Sequence, residues 1–242
     1  MHYPEVVIKK LFIGTEAMQI IPKINKDLYH KVKKIKLLYG YSDSERTLII
    51  VHIGKCGGST VRTALKDSSF RKSFKNVHSV HTSQPPILQK SKYLILIRNP
   101  ISRAISAFNY RHQIVIKENK GSRFFNERKA LLKYSSFNHL AENLYSDNEL
   151  NMQAAQDYMS IHHLHEGISF YLSELLRSIR KEQIIGVIAT EALDEDLKNL
   201  CGLGGVHKLN QGKSKKSLTL SELARKNLHK FLYDDYQCIE KL

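Results

Sequence analysis

At 242 residues and a formal charge of +15, the chain suits one domain with a sizeable core and favours anionic partners: nucleic acid, acidic membrane, a phosphorylated cofactor or an acidic glycan. Its apolar content excludes a disordered chain, and three cysteines without pairing rhythm (Cys56, Cys201, Cys238) argue against a disulfide framework and for a reducing compartment. No run reaches the roughly 18 apolar residues of a membrane span, and Lys9 and Lys10 break up the apolar stretch at the start, so the expectation is a soluble, cytoplasmic protein.

Residues 1–45 read as a basic, partly amphipathic extension with at least one helix; Lys31, Lys33, Lys34 and Lys36 suit either a solvated surface or peripheral contact with a membrane. The first strong strand is Leu48–Ile53. Further β-branched apolar runs follow at Asn76–His81, Tyr93–Ile97 and Ile184–Ala189. Three of the four are nearly continuous in apolar residues, the pattern of strands covered on both faces. Helical patterns follow them at Thr60–Lys66, Ile101–Tyr110 and Leu193–Leu200. Strands alternating with helices predict an α/β fold with a central parallel sheet, whose binding sites lie beyond the carboxyl ends of the strands. Residues 112–182 read as a large helical insertion, with segments near 123–133, 136–145, 149–165 and 167–181 and no strand among them. Residues 208–217 form a polar, basic loop containing Lys208, Lys213, Lys215 and Lys216. A terminal helix then runs to about residue 240, with Thr219 or Ser221 as its N-cap.

Two strand–helix junctions carry the chemistry. In the first, Lys55-Cys56-Gly57-Gly58-Ser59-Thr60 leads from strand to helix. Glycines there let backbone N–H groups face an anion, the helix N-terminus adds partial positive charge, Lys55 adds a full one, and Ser59 and Thr60 add hydroxyls. The plainer reading is a βα turn capped by Ser59. The loop is not a Walker A motif, because Lys55 precedes both glycines, which weakens an ATPase or kinase assignment. In the second junction Arg98 ends a strand and Asn99-Pro100 opens a helix. Asn99, Arg103 and Ser106 fall on one helix face, opposite Ile101, Ile105 and Phe108. Arg98 and Ser106 can grip a phosphate, or Arg98 can pair structurally with a carboxylate or helix terminus.

Together, HIGKCGGST and RNPISRAIS resemble the PAPS-dependent sulfotransferases, more closely the carbohydrate (Golgi-type and bacterial) branch. In that family the first loop reads close to H-I-P-K-T/C-G-G-T/S-S and binds the 5′-phosphosulfate of 3′-phosphoadenosine-5′-phosphosulfate. The second reads R-D/N-P-x-x-R-x-x-S, and its Arg and Ser bind the 3′-phosphate. The resemblance covers residues 47–111 and 184–242; the closing KLNQGKSKKSLTLSEL…FLYDDYQCIEKL is also similar. It implies a P-loop-like three-layer fold and single-domain organisation. It also implies cofactor contacts from Lys55, Cys56, Gly57, Gly58, Ser59, Thr60, Arg98, Ser106, Asn210, Lys213 and Lys215. Two departures stand out: Gly54 replaces the usual Pro, which should loosen the loop, and Ser59-Thr60 reverses the usual order of the hydroxyls.

The implied reaction is in-line sulfuryl transfer to a carbohydrate hydroxyl, of a surface polysaccharide or glycolipid precursor. Lys55 would steady the bridging oxygen. The base candidates are His81, at the carboxyl end of its strand, and in reserve His78, which faces the other side. His52 precedes the cradle and is expected to pack. His162, His163 and His165 invite a metal reading, but the His162/His165 pair lacks further ligands and the chemistry needs no metal; with Lys117, Arg123 and Arg128 they could instead touch an acidic acceptor. The competing readings are a P-loop-like kinase and a non-enzymatic basic module binding acidic polymers; nucleic acid is not expected as a partner.

Overall fold

The computed structural model describes residues 40–205 and 220–242. The basic N-terminal lysines, and Lys208, Asn210, Lys213, Lys215, Lys216 and Thr219, lie outside the described residues.

A parallel four-stranded sheet forms the centre. Its strands are β1 (Thr47–His52), β2 (Asn76–Val80), β3 (Lys92–Ile97) and, after a two-strand hairpin described below, β6 (Ile184–Ala189). They lie in the order β2-β1-β3-β6, every neighbouring pair parallel. All four predicted runs are therefore strands. The continuous apolar stretches of β1 and β3 occupy the middle, where Leu48, Ile49, Val51 and Tyr93 to Leu96 are fully buried. The half-buried β2 and β6 form the edges.

Helices flank the sheet. β1 is followed by α1 (Gly58–Leu65) and the short α2 (Ser69–Lys72), and β3 by α3 (Pro100–His112), which runs on through a π-turn at Gln113–Lys117. Next come α4 (Glu127–Lys133), α5 (Phe137–Glu142), the hairpin of β4 (Tyr145–Ser146) and β5 (Glu149–Leu150), α6 (Met152–Ser160) and α7 (Ile168–Ser178). After β6 stand α8 (Leu193–Cys201), α9 (Glu222–Phe231) and α10 (Tyr233–Glu240). Val61 and Leu65 of α1, Leu172 and Leu175 of α7 and Leu193 and Leu197 of α8 join the sheet in one core. A second core gathers Ala104 and Phe108 of α3 with Leu131, Phe137, Tyr158 and, from α9, Leu228. The insertion thus folds back on α3 together with the C-terminal helices.

Three expectations change. The insertion is interrupted by the β4–β5 hairpin, whose turn residues Asp147 and Asn148 have φ of 51° and 65°. Two consecutive left-handed residues make the turn type that matches strand twist. The segment 149–165 is not one helix: α6 ends at Ser160, and Ile161–Gly167 form a turn in which His163 has φ 67°. The terminal helix is two helices broken at Leu232, capped at its start by Ser221 Oγ, which accepts a hydrogen bond from Ala224 N at 3.1 Å.

The strand order places the site. β1 connects to β2 on one side, while β3 lies on the other, so the chains leaving the carboxyl ends of β1 and β3 diverge and leave a crevice. The Lys55 loop and Arg98 both begin there.

Candidate functional site

Between β1 and α1 the chain makes a tight left-handed excursion: Lys55 has φ 73° and Gly57, the N-cap of α1, φ 74°. The helix opens one residue before Ser59, so Ser59 is not its cap. The amides of Gly58 and Ser59 precede the first helical hydrogen bond, Val61 N to Gly57 O at 3.1 Å, and are left to face an anion. Glycine is required at 57 for its backbone and at 58 for space: a Cβ on Gly58 would overlap the His52 ring. Cys56 contributes neither group to this cradle. Its thiol is fully buried, with its pKa pushed up to about 12 by desolvation, and its N–H donates to Ile53 O at 3.2 Å.

Gly54 is held by a neighbour rather than loosened. A Cβ there would fall 3.0 Å from His163 Cε1 and 3.2 Å from Cγ, and closer still to Nδ1. The imidazole fills the place that a proline ring would need.

The two junctions meet. Arg98 Nη1 donates to Lys55 O at 3.3 Å, and Arg98 Nε lies 4.0 Å from Glu191 Oε1. Asn99 caps α3, its Oδ1 accepting from Ser102 N at 3.1 Å, with Pro100 in the first turn. Lys55 Nζ stands 3.9 Å from the centroid of the Tyr110 ring. Desolvation, and next the Arg98 charge, hold the Lys55 pKa down to about 8. Ser106 is half-buried on the α3 face that carries Asn99, Arg103 and Tyr110.

Arg103 departs from its expected place on an open polar face. It is fully buried, and its Nη1 donates to the carbonyls of Gly54 (3.4 Å), His163 (2.8 Å) and Glu166 (3.1 Å). Because α3 lies between the site and the second core, the helix is covered on both sides at Arg103, while Asn99 and Tyr110 on the same face stay exposed. Arg103 ties the cradle loop to the 161–167 turn instead of meeting a ligand.

That turn brings a column of imidazoles to the crevice. His52 stacks on His81 (centroids 4.2 Å apart), His81 lies 5.5 Å from His163, and His163 stacks on His162 at 3.9 Å. His81 Nδ1 is 2.9 Å from His52 O. A carbonyl can only accept, so Nδ1 carries a proton, and in the neutral ring Nε2 is the acceptor nitrogen. His78 sits away from this column, in register with Ile49 and edge-on to Tyr41 at 4.5 Å. Desolvation first, then neighbouring cations and histidines, push the His52 pKa down to about 3 and His163 to about 2, and depress His162 as well.

His162, His163 and Glu166 place ligand atoms within 4.8 Å of one another and form the group among the described residues that could hold a metal; His163, not His165, completes it. Around it stand Arg103, Arg111 and Lys55, which oppose a cation. Of the residues proposed to touch an acceptor, Arg128 is engaged with Val115 O (2.7 Å) and Asn119 Oδ1 (2.9 Å). Arg123 and Lys117 are exposed on the segment after α3.

Sequence reasoning missed Thr190 and Glu191, just past β6. Thr190 donates twice to Ile97 O, through N (2.9 Å) and Oγ1 (3.0 Å), beside Gly57; Glu191 accepts from Asn99 N at 3.1 Å. The rule that directed attention past β1 and β3 applies equally to β6. Tyr110 was legible only as the last residue of the predicted helix Ile101–Tyr110. Comparisons with protein-family models, curated proteins and solved structures find no match.

Proposed function

We propose that the chain is a PAPS-dependent carbohydrate O-sulfotransferase built on a P-loop-like core. One observation carries this reading: the Arg98–Lys55 hydrogen bond draws the two motifs, far apart in sequence, to one crevice at the β1/β3 switch point. A donor nucleotide with phosphate groups at both its 5′ and 3′ positions needs two anion grips in one crevice.

The cradle of Gly57, Gly58 and Ser59, with Lys55, suits the 5′-phosphosulfate; Arg98 and Ser106 suit the 3′-phosphate. The acceptor hydroxyl oxygen attacks sulfur, the bond between sulfur and the bridging oxygen breaks, and its electron pair stays on the departing bisphosphate. Lys55 stabilises that oxygen, an interaction typically worth ~10²–10³ in rate. The hydroxyl proton passes to His81 Nε2, which the tautomer fixed by His52 O leaves able to accept it. Neutral His52 and His163 pack around His81 without competing for the proton, since burial holds both in the uncharged form.

Titration calorimetry with adenosine 3′,5′-bisphosphate against AMP tests the reading. Clear preference for the bisphosphate, lost in Arg98→Ala, is expected; equal affinity for the two nucleotides would remove the 3′-phosphate assignment.

A further inference from the structure

The Lys55 ammonium lies against the Tyr110 ring at 3.9 Å, yet Tyr110 remains 42% exposed at the mouth of the crevice. Tyr110 shares the α3 face of Asn99, Arg103 and Ser106, on the side where the insertion begins. Lys120, from the segment after the π-turn, is close enough to interact with it electrostatically. Backbone constraints fix the base of Lys55: left-handed φ, and a carbonyl held by Arg98 Nη1. Its long side chain can still swing. Two attractors compete for the ammonium, the Tyr110 ring and any anion in the cradle. A cation–π contact at a part-exposed ring is weaker than a charge-assisted hydrogen bond to a phosphate or sulfate oxygen, so the anion wins when present.

We propose that Tyr110 is the acceptor platform of the site and that Lys55 covers it until the nucleotide arrives. This rests on the sulfotransferase reading above. Nucleotide binding draws the ammonium toward the bridging oxygen. The ring face it leaves is then open to the apolar face of a sugar, whose hydroxyl is thereby presented beside His81. The acceptor is accordingly a saccharide with a stackable pyranose face, and donor and acceptor bind cooperatively, donor first. The device also keeps an acceptor ring from occupying the site before there is anything to transfer.

The chain contains no tryptophan, so Tyr110→Trp introduces a single indole reporter that retains the cation–π contact. In this variant, adenosine 3′,5′-bisphosphate should shift the indole emission. Without nucleotide, emission should change as pH rises through the Lys55 pKa of about 8. Adding Lys55→Met should give the uncovered-ring spectrum from the start, with neither response. Bisphosphate that binds by calorimetry but leaves the emission unchanged would overturn the exchange, as would a Lys55→Met spectrum identical to that of its parent. Absence of bisphosphate binding to the native protein would reject the sulfotransferase reading and the exchange with it, while the pH response would still report whether Lys55 covers the ring. For the platform, Tyr110→Leu should raise the acceptor KM several-fold while bisphosphate affinity is retained or modestly tightened, since the ring no longer competes for Lys55, and Tyr110→Phe should restore both. An unchanged KM in Tyr110→Leu would remove Tyr110 from acceptor binding.

Discussion

The contact between Gly54 and His163 can be tested without any assumption about substrate. Gly54→Ala would put a methyl group 3.0 Å from His163 Cε1, where ordinary contact begins near 3.4 Å, and nearer still to Nδ1. The imidazole has little room to retreat: it is 6% exposed, stacks on His162 at 3.9 Å, and its own carbonyl holds Arg103 at 2.8 Å. Overpacking of this kind costs ~1–3 kcal/mol. For a domain of this size that corresponds to a fall in Tm of about 3–10 °C. His163→Ala should itself destabilise, through lost packing. The double variant, with methyl and imidazole no longer competing, should be more stable than the sum of the single losses predicts, by about 1 kcal/mol or more. Equilibrium denaturation of the four proteins gives that coupling energy directly. A Gly54→Ala variant within ~0.5 kcal/mol of the parent, or strict additivity, would refute the packing argument. With it would go the explanation of why glycine stands where the resembling family has proline.

On the proposed function, Lys55→Met should lower sulfuryl-transfer turnover by ~10²–10³ while leaving the Tm at pH 7 unchanged or raised, because a buried ammonium whose pKa is held at about 8 is a cost to the fold below that pH; a fall in both would mean Lys55 is structural. His81→Ala should abolish transfer and preserve bisphosphate binding, whereas His78→Ala should retain transfer; the reverse pattern, read in the same two assays, would exchange their roles. Stability should also fall as pH drops below about 6.5, where unfolded histidines take up protons that buried His162 and His163 refuse. The slope is on the order of 1.4 kcal/mol per pH unit for each, and denaturation at pH 7.5 and 5.5 should show a shallower loss in His163→Ala. A parent protein equally stable at both values would contradict the burial of these rings.

The sheet was legible because β1 and β3 are covered on both faces, and such strands must be apolar at every position. The start of α3 was legible because Asn99 and Pro100 act locally, through a cap and a fixed φ. What escaped depends on neighbours distant in sequence. Helical spacing puts Arg103 on the polar face of α3, but only the 161–167 turn, bringing the carbonyls of His163 and Glu166 to it, makes that face an interior. The Asp147-Asn148 turn did carry a local signal, since both residue types tolerate left-handed backbone. It was outweighed by the helical pattern on either side. For His81, spacing showed only that it and His78 face opposite ways; the hydrogen bond to His52 O, which fixes its tautomer, is a contact between two strands' ends.

The charge of the crevice is narrower than its composition implies. Four histidines and several basic residues converge here, yet burial keeps His52, His162 and His163 neutral, so they act as packing and as a low-dielectric wall. Arg103 is held through Nη1 by three carbonyls, and Arg111 is paired with the Glu127 carboxylate through bonds of 2.7 and 2.9 Å. The cations left for the proposed ligand are Lys55 and Arg98, one on each junction. Of the two, Lys55 is the more desolvated and Arg98 is partly offset by Glu191, so Lys55 is the cation whose interaction with an anion is least screened by water. The same dryness explains why Lys55 holds its proton only weakly and rests on an aromatic ring: without an anion in the cradle, a π-face is the best partner the site offers it.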